Sequence, residues 1–149
     1  MAEIMVDEGL DYRAGVFPKN GANLATLYLG LFTSQDETTV PARGATGGAA
    51  PAGWTEAAGT AYARQALAAA TWGALSTNGN GRKFTYPEVT FPTVGAGGWG
   101  TVNGFFIATK VSSQAGDVLI FFSNFDDLTA NPLNENDIQK VTPSWQDDG

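Results

Sequence analysis

Cysteine and histidine are both absent from the 149 residues of this sequence. Without Cys there is no disulfide framework, no thiolate chemistry and no Cys-based metal site, and the redox compartment is left undetermined. Without His the chain lacks the commonest general base, the commonest metal ligand and the side chain that titrates near neutral pH. An enzyme made from it would have to work with Asp, Glu, Lys, Tyr, Ser or Thr, which argues against catalysis. Positive charge is also scarce: 8 Lys and Arg face 15 Asp and Glu, for a net charge of −7. Nucleic-acid binding rests on neutralising phosphates with Lys and Arg, so nucleic acid is not an expected partner. Anionic membrane surfaces are disfavoured for the same reason. No run approaches the roughly 20 apolar residues that span a bilayer. The first residues, "MAEIMVDEGLDYRAG", are acidic and lack a basic region followed by an apolar run. They do not read as a signal peptide, and the cytoplasm is the expected place of synthesis and folding.

What is abundant is glycine, 19 residues, and short apolar runs between Gly, Pro and Asn turns. The length is that of one domain able to bury a core of its own. Near the start, Val6, Leu10 and Ala14 follow helical spacing, which predicts a short N-terminal helix ending near Pro18 and Gly21. "NLATLYLGLFTS" is the clearest strand, with Leu27, Leu29 and Leu31 on one face and Tyr28 and Phe32 on the other. "QDETTVPARGATGGAAPAGWTEAAG" has no period and reads as a flexible loop or arm over about residues 35–59. In "TAYARQALAAATWGAL" the Ala run favours helix, while the alternation of Tyr62, Arg64 and Ala66 favours strand; strand is the reading adopted. "STNGNGRK" is an Asn-Gly turn. "KFTYPEVTFPTV" is a strand that Pro87 and Pro92 confine to an edge or interrupt. "GTVNGFFIATKV" and "GDVLIFFSNF" form a hairpin through "SSQAG". The expected fold is mainly β: one antiparallel β-sandwich or jelly-roll-like domain over residues 1–149, with the short N-terminal helix.

Groups that could carry chemistry are few. Asp126 with Asp127, Glu135 with Asp137, and Asp147 with Asp148 are paired carboxylates of the kind glycoside hydrolysis uses. Neighbours on a strand point to opposite faces, so solvated turn residues are the preferred reading. "NENDI" offers oxygen ligands for Ca²⁺ but lacks the spacing of an EF-hand loop, and a turn role is preferred. No metal and no cofactor is expected. Trp54, Trp72, Trp99 and Trp145 could stack on sugars or bind cations, but each ends an apolar run, which suits the core or a subunit interface better. Arg64 either pairs with a carboxylate or anchors a subunit contact; the sequence alone does not separate the two. In "AGGWGTVNGFF" the glycines allow tight turning, Trp99 seals the end of a sheet, and Phe105 and Phe106 load both faces of a strand. Loading both faces predicts a partner sheet on one side and a neighbouring chain on the other.

Three parts of the chain resemble, in order, a set of small tailed-bacteriophage virion proteins. They are the N-terminal segment with "ATLYLGLFTS", then "GTAYARQAL…W", then "VTFPT…WGTVNGFFIA" followed by "GDVLIFFSNF". Related sequences look like capsid decoration (cement) proteins, and many are labelled tail or fibre proteins. The C-terminal "NPLNENDIQKVTPSWQ" departs from the family's usual short ending, being longer and more acidic. The resemblance implies a non-enzymatic protein on the outer capsid surface of the virion, bridging major capsid protein subunits as a homo-oligomer, with a trimer expected. The acidic charge fits an outer surface better than a shell face opposite packaged DNA. Expected interface residues are Tyr12, Phe17, Trp54, Arg64 and Trp99. The alternatives are a tail, baseplate or fibre component, and a glycan-binding module using Trp54 or Trp99.

Overall fold

The computed structural model describes residues 4–5, 26–33, 55–68, 71–73, 76–78, 81–114, 117–125 and 132–147. Within them the chain is mainly β and every strand pairing is antiparallel, as the short alternating runs predict. The strands are β1 (Ile4–Met5), β2 (Leu27–Phe32), β3 (Gln65–Leu67), β4 (Ser76–Asn78), β5 (Gly81–Thr85), β6 (Val89–Thr90), β7 (Gly100–Thr101), β8 (Gly104–Ala108), β9 (Leu119–Asn124), β10 (Pro132–Leu133), β11 (Lys140–Val141) and β12 (Ser144–Asp147). A five-stranded sheet has the order β1-β9-β8-β2-β3; a three-stranded sheet has the order β12-β5-β4; β10 pairs with β7 and β11 with β6. Pro87 interrupts the run "KFTYPEVTFPTV" between β5 and β6, as a residue without an N–H must. The helix expected after Met5 lies outside the described residues. Ile4 and Met5 themselves are strand, opposite Phe122 and Phe121.

The centre of the large sheet, β2-β8-β9, is apolar on both faces. Leu29 faces Ile107, and Leu31 faces Phe105. With Ile120 and Phe121 they build the first face and are at most 5 % exposed. Phe91, Val94, Trp99, Val102, Leu133 and Val141, from the short strands and turns between residues 86 and 141, join the same cluster. The second face holds a smaller cluster of Phe32, Phe106, Ala108, Leu119 and Phe122. A β-bulge lets one strand serve both faces. Ile107 opposes Phe121 while the next residue, Ala108, opposes Leu119, so Ile120 is the extra residue. Ile120 and Phe121 therefore both turn to the first face, and Leu119 and Phe122 to the second.

On the second face glycine and phenylalanine alternate across the strands. Gly30 opposes Phe106, and Phe32 opposes Gly104. A Cβ on Gly30 would stand 2.2 Å from the Phe106 ring, and one on Gly104 would stand 2.6 Å from that of Phe32. Each ring thus lies on bare backbone of the neighbouring strand. Phe106 is fully buried inside one chain, as is Phe122. These two rings are thus covered within a single chain.

Candidate functional site

The segment read as one long strand over residues 60–75 is not one. Strand β3 is limited to Gln65–Leu67. Glu56 bridges Phe32, and Ala57 donates its N–H to Leu31 O at 2.8 Å. Continuing that register would put residue 59 opposite Leu29, but Gln65 is there. Six residues are therefore looped out from the edge of β2. Gly59 and Ala61 turn the loop with φ of 150° and 67°. The Trp99 indole N–H holds it by donating to Thr60 O at 2.9 Å.

This loop carries the densest polar cluster of the described residues. Arg64 is 6 % exposed. Its Nε donates to Glu56 Oε1 and its Nη2 to Glu56 Oε2, both at 2.8 Å, in a two-pronged fork. Its Nη1 donates to Asp117 Oδ2 at 2.9 Å and to Lys110 O at 2.8 Å. The other Asp117 oxygen accepts the Lys110 N–H at 3.0 Å. The guanidinium carbon lies 4.9 Å from the centre of the Phe106 ring, so the second face is capped by a cation over an aromatic. Burial works against the charged guanidinium, but the hydrogen bonds and charges of Glu56 and Asp117 outweigh it and hold the pKa above its ordinary value.

Tyr62 completes the cluster. Its hydroxyl donates to Glu56 Oε1 and accepts the Leu31 N–H, both at 3.0 Å. Burial, reinforced by the Glu56 charge, pushes the phenol far above its usual pKa and keeps it protonated. Its ring stacks on Phe91 at 6.5 Å and meets Trp99 edge-on at 5.3 Å. The loop and the β8–β9 hairpin enclose an open depression of about 400 Å³ lined by Glu56, Ala57, Ala58, Tyr62, Ala63, Arg64, Val111, Ser112 and Ser113.

No family model, no curated protein and no solved structure matches the chain.

The expected interface residues fall in two groups. Tyr12, Phe17 and Trp54 lie outside the described residues. Arg64 and Trp99 are both buried, Trp99 at 2 % exposure, so neither forms the outer surface of a single chain. The Trp99 ring is packed against Tyr62 and Phe91 and offers no sugar-stacking platform. Of the two readings of Arg64, carboxylate pairing is the one found. Trp72 is half-buried against Tyr86, with centroids 5.1 Å apart. In "NENDI", Asp137 Oδ2 accepts the Asn134 N–H at 2.7 Å, which closes the turn on itself. Asp126, Asp127 and Asp148 lie outside the described residues. Glu56, Tyr62 and Asp117 had no signal in sequence beyond the expectation of some carboxylate for Arg64.

Proposed function

We propose that this chain is a non-enzymatic structural protein of a tailed-bacteriophage virion, a capsid decoration protein on the outer surface of the head. In this reading its antiparallel sheets close as a sandwich, and copies associate, as trimers, while bridging major capsid protein subunits. One observation supports it above the others. The segments that carry the resemblance are the ones that interlock. "GTAYARQAL" supplies Tyr62 and Arg64, "VTFPT" supplies Phe91, and "WGTVNGFFIA" supplies Trp99 and Phe106. Tyr62, Phe91 and Trp99 form one aromatic group, and Arg64 lies over Phe106. The likeness therefore runs through contacts that build a scaffold. The buried ionisable groups are spent on one another in the same way, which suits a part whose work is to hold shape. Bridging needs only interfaces of standard size, about 1,600 Å², because many copies act together.

The competing reading puts the same scaffold in the tail or baseplate. Labelling this chain in intact virions and locating the label by electron microscopy tests both. A regular array on the head is the expected result. Label confined to the tail would replace the decoration reading with the tail reading, and particles without the chain would overturn both.

A further inference from the structure

We propose that the depression between residues 56–64 and 111–113 is a binding site for a neutral, hydroxyl-rich ligand such as a sugar ring. The inference concerns this surface alone and stands whether the chain sits on a head or a tail.

The volume, about 400 Å³, lies in the range of small-ligand sites, roughly 300–1,000 Å³. The floor is preorganised. Glu56 is locked by three hydrogen bonds from Tyr62 and Arg64, and Arg64 is locked from behind by Asp117 and Lys110 O. Neither side chain needs to be ordered when a ligand arrives, which lowers the entropic cost of binding. The Glu56 side chain keeps 19 % of its surface open and lines the depression, so it is a fixed group within reach of a ligand there. Ser112 and Ser113 bring hydroxyls from the opposite hairpin, and Ala57, Ala58, Ala63 and Val111 supply apolar wall. A fixed carboxylate and two adaptable hydroxyls set in a mainly apolar wall suit a ring that is polar at its edge and C–H on its faces.

Charge narrows the ligand class. One Arg64 cation stands between two carboxylates, Glu56 and Asp117, so the cluster carries one negative charge in excess. Lys110, next to Val111, brings the local sum to zero, so the surface offers an anion no excess positive charge. A purely apolar ligand would strip water from Glu56 and return no hydrogen bond. A neutral ligand that donates O–H groups to Glu56 meets both conditions. This differs from a stacking site on tryptophan, since Trp99 is packed inside.

The test is a titration of the whole ¹⁵N-labelled chain with glucose, galactose, N-acetylglucosamine and maltose, followed by amide shifts. Saturable shifts at Ala58, Ala63, Val111, Ser112 and Ser113 with at least one of them are expected, at millimolar strength or better. The doubly substituted Ser112→Ala, Ser113→Ala chain alters only exposed side chains and should fold normally while binding about tenfold more weakly. Glucose 6-phosphate should bind no more tightly than glucose. The absence of saturable shifts with all four sugars would overturn the proposal. So would binding unaffected by the serine substitutions, or tighter binding of the phosphate. None of these results depends on where the chain sits in a particle.

Discussion

The two faces of the central sheet are closed by different physics. On the first, Leu29, Leu31, Phe105, Ile107, Ile120 and Phe121 meet a layer of Phe91, Val94, Trp99, Val102 and Leu133, and the seal is apolar contact. On the second, a smaller group of Phe32, Phe106, Ala108, Leu119 and Phe122 is capped at Phe106 by an ion cluster. Apolar packing loses stability in proportion to the area and volume removed. An ion cluster fails differently: it tolerates loss of the whole set far better than loss of one member. The same strand supplies both faces, so the contrast can be probed within one sheet.

The largest effect separates the two seals. Phe121→Ala should cost about 3–5 kcal/mol in denaturant unfolding, because the first face cannot collapse around the vacancy. Arg64→Ala should cost about 3 kcal/mol for another reason: Asp117 is left as a buried charge, and Glu56 as a half-buried one, without their cation. The distinction appears in combination. Arg64→Met together with Glu56→Gln and Asp117→Asn should recover most of the loss, whereas no polar change elsewhere rescues Phe121→Ala. If the triple variant is no more stable than Arg64→Ala, the second seal is not an ion cluster in the energetic sense.

Gly30→Ala comes next. The added methyl would enter the Phe106 ring, whose atoms stand 2.2–2.9 Å from the Cβ position. Phe106 is fully buried and lies under Arg64, so it has little room to give way. Overpacking of this kind costs about 1–3 kcal/mol. A loss well under that range would mean that the second face is loosely packed and repacks freely.

A pH measurement sharpens the contrast further. The folded Tyr62 phenol holds its proton far above the ordinary value of 10.0, chiefly through burial and then through Glu56. The unfolded chain releases that proton at its ordinary value, so above about pH 10 the unfolded state binds fewer protons than the folded one. Stability then falls by up to about 1.4 kcal/mol for each further pH unit, while below about pH 10 the contribution is fully present. Tyr62→Phe should cost about 1–3 kcal/mol at neutral pH through its two lost hydrogen bonds, one of them to a carboxylate. The same variant should show a shallower loss between pH 10 and 12. Equal slopes in the two proteins would remove Tyr62 from the buried cluster.

Much of the first face is legible in the chain. Leu27, Leu29 and Leu31 alternate cleanly, and such alternation marks a strand with one face turned to a core. Trp99 reads correctly as a core residue, and Gly98 and Gly100 beside it adopt the positive φ that a tight turn requires. The bulge at Ile120 leaves no mark, because "LIFF" is apolar at every position and its period is invisible. The loop at 59–64 misleads for the opposite reason. Tyr62, Arg64 and Ala66 mimic a two-residue period, yet Tyr62 and Arg64 turn inward for polar partners that lie up to 53 residues away in sequence. A carboxylate for Arg64 could be expected by type. That it would be both Glu56 and Asp117 depends on how the hairpin folds back, which no local pattern encodes.

The smallest effect concerns Asn124, a side chain on the second face that does not fit its surroundings among the described residues. Asn124 ends β9 opposite Gly104 and is 2 % exposed, and neither of its amide atoms has a hydrogen-bond partner among the described residues. A buried amide left unpaired costs about 1–3 kcal/mol, whereas an apolar group of the same shape costs nothing of the kind. Leucine nearly matches asparagine in shape, so Asn124→Leu should raise stability by about 1 kcal/mol, read as a higher denaturation midpoint with an unchanged slope. That gain would mark the second face as less optimised than the first, where a substitution of similar size has nothing to relieve. A fall in the midpoint would instead mean that the Asn124 amide is satisfied in solution, with a buried water as the natural partner. The second face would then have a polar element beyond the Arg64 cluster, and the difference between the two seals would be wider than the ion cluster alone makes it.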